Sequence, residues 1–182
     1  MIVIEPIISY DPSGIYTEVL TRPAVKAVCF RNNKIVVLKC ADGSYKLPGG
    51  GVEKDDDSNE MALSRELKEE CGITEIMNSK LIAHLDEFKQ DELSESTIFN
   101  ISTNVFHCHV VSMDSRERKL DDYESELGMT VEEVSIKKVL SLFENQSQPW
   151  SKRDLIIIIS SLEILRSQEG EKRNEYSNEG HR

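Results

Sequence analysis

The chain has 182 residues, enough for one domain with a proper core and too few to leave much room for a second. Its 33 acidic residues against 22 basic ones give a net charge of -11, which argues against polymeric nucleic acid and anionic membranes as partners. A phosphate-bearing ligand would need a cation between it and this acidic surface, and a bound divalent ion is the simplest source of that charge.

The N-terminal stretch MIVIEPIISYDPSGIY carries an apolar patch without a basic leader or small-residue cleavage site, and no run in the chain is long enough to span a bilayer. Residues 23–31 and 34–40 are rich in Val and Ile and are separated by Asn32 and Asn33, which predicts two strands joined by a tight hairpin turn. A short strand then runs into three consecutive glycines, Gly49 to Gly51. The stretch from Asp57 to Gly72 reads as a helix, with Asp57 and Glu60 as an acidic capping box and Gly72 just past its C-terminus. Residues 80–89 and 99–111 alternate apolar and polar, predicting half-buried antiparallel strands joined by an acidic loop.

After a charged loop, VEEVSI fits a short strand and SIKKVLSLFEN a helix. Leu155, Ile158, Ile159, Leu162 and Leu165 then repeat at helical spacing, so this segment reads as a helix packed on the sheet, although its isoleucines also suit a strand. A single domain over 1–167 is expected, followed by a polar tail, 168–182, too charged and too poor in apolar residues to order itself. Cys29, Cys40, Cys71 and Cys108 lie in apolar segments without a CxxC pair, which predicts reduced core thiols and a cytoplasmic protein.

The chemistry concentrates on the helix that ends at Gly72. With about 100° per residue, Leu63, Leu67 and Cys71 form the buried stripe, and Glu66, Glu69 and Glu70 share one adjoining edge while Arg65 points away. Like charges three and four residues apart cost a few tenths of a kcal/mol each. A hard divalent cation such as Mg or Mn reverses that sign by drawing the three carboxylates together. A solvated acidic face paired with Lys68 explains the same residues, and the loop before the helix decides between the two.

From Gly51 the string GVEKDDDSNEMALSRELKEECGI resembles the box of the Nudix family, GX5EX7REUXEEXGU with U aliphatic. Gly51, Arg65, Glu66, Leu67, Glu69, Glu70, Gly72 and Ile73 match, eight of nine fixed positions, and Asp57 stands where the box has Glu. The resemblance implies an α/β fold, an alpha/beta/alpha sandwich around a mixed sheet, and a metal-dependent pyrophosphohydrolase acting on a small nucleotide-like substrate, a nucleoside diphosphate linked to another group. Nucleoside triphosphates come first among such substrates, and the residues specify no oligomeric state. The same resemblance makes Glu66, Glu69 and Glu70 the metal ligands, for Mg or Mn, with Arg65 bracing the loop through Asp57 or Glu53. Gly50 and Gly51 would let the backbone approach metal or phosphate. The general base stays open between a box glutamate and a loop acid, for which Glu124 and Glu126 are candidates.

His107 and His109 face one side of a strand but lack a third ligand and read as structural. Trp150, Phe88 and Tyr123 fit base stacking and core or rim packing alike. Two rivals remain: a non-catalytic Nudix-fold nucleotide sensor or regulator, and an acidic interaction module. Retention of all three box glutamates opposes the first, and the glycine run opposes the second.

Overall fold

A computed structural model describes residues 1–91 and 93–179, the side chains of 168–179 excepted. The chain forms β1 (Ile2–Val3), β2 (Ile7–Ser9), β3 (Glu18–Arg31), β4 (Lys34–Lys39), β5 (Tyr45–Lys46), α1 (Asn59–Cys71), β6 (Ile73–Gln90) and β7 (Thr97–Met113). A short 3-10 turn at Ser115–Glu117 leads to α2 (Asp122–Glu126), β8 (Thr130–Ser135), α3 (Ile136–Glu144) and α4 (Pro149–Glu179).

The strands join one mixed sheet in the order β1-β6-β7-β3-β4-β5, with β2 also on β6 and β8 also on β4. The pairs β3/β7, β1/β6 and β2/β6 are parallel and the remaining pairs antiparallel. Asn32 and Asn33, at φ 50° and 60°, close the expected β3–β4 hairpin in the left-handed region that Asn tolerates.

Alternation along the central strands sends two cores to opposite faces. Val25, Ala27, Cys29, Val36 and Leu38 pack with Leu63, Leu67 and Cys71 of α1. Val28, Phe30, Ile35 and Val37 pack with Val139 and Phe143 of α3 and with Ile157 and Ile158 of α4. The result is the expected sandwich of helices around a mixed sheet. Burying Leu63 and Leu67 completely gains about 1.5–3 kcal/mol each, which outweighs the few tenths lost to each glutamate repulsion on the same helix.

Both ends of α1 are held by local hydrogen bonds. The N-cap is Ser58, whose side chain accepts the Met61 N–H at 3.2 Å, and the expectation that Asp57 caps the helix is corrected. Ser58 holds the extended backbone that a cap requires, and Asp57 is left outside the helix and exposed. At the other end Gly72 takes φ 73° and returns its N–H to the Lys68 carbonyl, as anticipated.

The four cysteines are free and buried, as core thiols should be, and Cys29 and Cys108 place their sulfurs 3.1 Å apart across β3 and β7. Among the described residues no helix is long and apolar enough to cross a membrane. The backbone of α4 is described to Glu179, and the tail expected over 168–182 falls on residues whose side chains, or for 180–182 whose entire structure, lie outside the described ones.

Candidate active site

The glycine run is built onto the edge of β3. Val25 N–H donates to the Gly50 carbonyl, Ala27 N–H to the Pro48 carbonyl, and Val52 N–H to the Pro23 carbonyl, at 2.9–3.0 Å. Lys26 secures the same segment from its side chain: its ammonium, nearly buried, donates to the carbonyls of Leu47 at 2.7 Å and Gly49 at 2.5 Å. The glycines are required here by space. A Cβ on Gly50 would fall 2.6 Å from a Glu66 carboxylate oxygen, and one on Gly49, at φ 122°, would collide with the Val25 carbonyl.

Against this loop α1 presents Glu66 and Glu70. Glu70 is 1% exposed and accepts the Gly49 N–H at 2.5 Å. Burial raises the pKa of its carboxyl, against the pull of the Lys26 charge and the Gly49 N–H. Burial raises that of Glu66 as well, against Arg65.

A third carboxylate arrives from α2, so that ligand oxygens of Glu66, Glu70 and Glu124 all lie within 4.8 Å of one another. The segment carrying α2 is tied to α1 by Arg118, which donates to the carbonyls of Glu70 and Met129, and by Lys119 N–H, which donates to the Glu69 carbonyl. Asp121 and Glu124 then cap α2 reciprocally. Three convergent carboxylates, two of them in surroundings that penalise a bare negative charge, form a donor set suited to a hard divalent cation.

The sequence-predicted residues divide as follows. Glu66, Glu70 and Glu124 converge, whereas Glu126 is exposed on α2 and away from the cleft. Glu69 lines the same cleft but points one carboxylate oxygen at Arg65, 3.2 Å away. Arg65 also donates to Glu66, to the Gly51 carbonyl and twice to Asp56, and stands 3.6 Å from Glu53. The expected pairing of Arg65 with Asp57 is thus corrected to Asp56, while Glu53 is confirmed near it. The cause is local: Asp56 N–H donates to the Glu53 carbonyl and Glu53 N–H to the Asp56 carboxylate, a closed turn that aims Asp56 inward. His107 packs tilted against Phe30 and edge-on to His109, with ring centroids 5.0 Å apart in each case, and the pair joins no metal-ligating cluster among the described residues.

Sequence reasoning missed Lys26, which looked like any polar residue of an alternating strand. It also missed Arg22, Lys46 and Lys119, cations that line the cleft without a carboxylate partner within 4.0 Å among the described residues. The cleft has a volume of about 860 Å³ and also carries Phe88, Tyr123 and Trp150 on its walls.

Residues 20–156 match the family model of the NUDIX domain. Among solved structures, a NUDIX hydrolase from Nitrosomonas europaea is similar at 21% identity and a TM-score of 0.55, over 78% of this chain and 90% of that one. The NUDIX domain of Shewanella oneidensis NrtR, solved with ADP ribose, is similar at 15% identity and a TM-score of 0.56, over 86% and 94% of the two chains. An ADP-ribose pyrophosphatase from Streptococcus suis is similar at 18% identity and a TM-score of 0.50, over 77% and 91%. No curated protein matches the sequence.

Proposed function

The chain belongs to the Nudix family and is a hydrolase of that type, and from that premise we propose that it cleaves the phosphoanhydride of a nucleoside diphosphate-linked compound with the help of a divalent cation. The observation that carries this reading is the convergence of Glu66, Glu70 and Glu124 beside the glycine loop. These three carboxylates would hold Mg or Mn, with Glu69 beside them at the cleft wall. When bound, the ion would neutralise phosphate charge, polarise the phosphorus centre and make water a better nucleophile.

The remaining roles fall to the chain itself. Arg65 locks the loop by joining Gly51 and Asp56 to Glu66 and Glu69, so the carboxylates need no reorganisation when substrate arrives. Gly50 leaves room for the Glu66 carboxylate to lie against the loop. Arg22 and Lys119 present charge toward the diphosphate and offset the acidic surface around it. Glu124 accepts the Asp121 N–H on Oε2 in the cap of α2, which holds its carboxylate beside Glu66 and Glu70 as a ligand of the cation.

Among substrates we put ADP-ribose and similar nucleoside diphosphate sugars ahead of the nucleoside triphosphates favoured from the sequence. The cleft volume of about 860 Å³ suits a whole dinucleotide-like ligand, and two of the similar structures carry ADP-ribose in their names. The test is turnover of the purified protein with ADP-ribose, nucleoside triphosphates and dinucleoside polyphosphates, in Mg, Mn or EDTA. Metal-dependent hydrolysis of one class is expected. Binding without hydrolysis across the panel would overturn the enzyme in favour of the sensor.

A further inference from the structure

Three aromatic rings line the cleft, and two of them are organised around one cation. The Lys46 ammonium lies 5.6 Å from the Trp150 ring centroid and 5.8 Å from that of Tyr123. Trp150 is fixed in place: its indole N–H donates to the Tyr45 carbonyl at 3.1 Å, one residue before Lys46. Tyr123 is 54% exposed, and its hydroxyl has no hydrogen-bond partner among the described residues, so neither burial nor a polar contact accounts for its position. It stands one residue before Glu124, on the short helix whose reciprocal cap fixes both. Phe88 also lines the cleft, on β6, but shares no cation with a second ring.

Resting on the hydrolase reading above, we propose that Tyr123 and Trp150 form the slot that recognises the nucleobase, and that Lys46 leaves the rings for the diphosphate when the base enters. Both halves of the exchange are favourable. A flat base stacks on an aromatic face more strongly than an exposed ammonium holds to it, because it covers more of the ring and releases its water. The displaced Lys46, which has no carboxylate partner within 4.0 Å among the described residues, meets the negative charge that arrives with the same ligand. Base and diphosphate are thereby read together: a diphosphate without a base leaves the ammonium competing between rings and phosphate, and a base without a diphosphate leaves it displaced with nothing to pair with. The slot accepts any base with a π-face, so it selects nucleotides over base-free pyrophosphates and does not select among bases.

Trp150 is the sole tryptophan of the chain, so its emission reports this slot without labelling. The full-length protein with Mg is titrated with α,β-methylene ADP, which cannot be cleaved at the bridging carbon, and with methylenediphosphate, which lacks the base. Strong quenching by the nucleotide and at most a small change with methylenediphosphate, from the shift of Lys46 alone, is expected. Tyr123→Ala, at an exposed position that leaves the core intact, should weaken nucleotide binding about tenfold. Lys46→Met should weaken both ligands. Unchanged emission at saturating nucleotide, an unchanged Kd in Tyr123→Ala, or nucleotide binding no tighter than methylenediphosphate would each overturn the slot. The two readings fail separately: quenching without metal-dependent hydrolysis removes the hydrolase reading alone, and hydrolysis of ADP-ribose without quenching removes the slot alone.

Discussion

At Arg65 one guanidinium holds together groups from the loop and from the helix, and only part of that arrangement could be read from the sequence. Box spacing identified Arg65, Glu66, Glu69 and Glu70, because a helix fixes the angle between residues one, four and five apart. Of the two loop partners it offered, Glu53 stands 3.6 Å from Arg65 and Asp57 does not pair with it, and the shorter contact with Asp56 was missed, since a loop has no such repeat and the turn closed by Glu53 and Asp56 decides which aspartate faces inward. Asp56 carries the cost of that role in its side chain, whose carboxyl is held below its usual pKa by the hydrogen bonds from Arg65. Asp56→Ala should therefore lower kcat/KM about tenfold or more, by freeing Arg65 and loosening the loop, whereas Asp57→Ala should stay within about threefold of the parent. Steady-state kinetics of the two variants side by side check this, and equal effects would return the role to Asp57. Glu124 could be named from the sequence only as one of two loop acids. The choice between it and Glu126 depended on α2, a helix too short to leave a hydrophobic period.

Elements with a strong period or a distinctive turn were legible: the Asn32–Asn33 hairpin, α1 with its Gly72 stop, and the long strands β6 and β7. The strands β1 and β2 were not, because two or three residues contain no alternation to read and their pairing with β6 is a property of the sheet edge. The histidines of β7 were read as structural, and their packing gives the strand a pH dependence. Burial lowers the His107 pKa, with His109 and Lys80 adding repulsion. A base whose folded pKa lies below its unfolded value of about 6.5 binds more protons when unfolded, so stability is lost as pH falls through and below that value. The melting temperature should fall between about pH 7 and pH 5.5, and His107→Phe should flatten the slope. Thermal melts of both proteins across that range check it; parallel curves would remove His107 as the cause.

For the whole molecule, an acidic protein has buried carboxylates, Glu66 and Glu70, at a place where a divalent cation would compensate their charge. Glu70 has its pKa raised by burial, so the stability it favours is present below the ordinary carboxyl value and is lost as pH rises. In EDTA at about pH 8, Glu70→Gln should therefore melt a few degrees higher than the parent, with about 2–4 °C expected per kcal/mol for a chain of this size. Saturating Mg should raise the melting temperature of the parent and do so much less in the variant, because only the parent keeps the full ligand charge. Calorimetry with and without Mg checks both signs, and an equal Mg increment in the two proteins would remove Glu70 from the ligand set. The same architecture limits how such a protein can diversify. Residues 48 to 52 occupy the flank of β3 that a further strand would otherwise take, through the hydrogen bonds of Pro48, Gly50 and Val52 to that strand. Lengthening or recoding this loop would unpick the sheet along with the chemistry, so it offers little raw material for new specificities. Specificity would change instead at cleft residues outside the carboxylate cluster, such as Tyr123 on α2 and Trp150 at the start of α4, and a lineage of such enzymes would alter what it hydrolyses there while inheriting the loop and Glu124 unaltered.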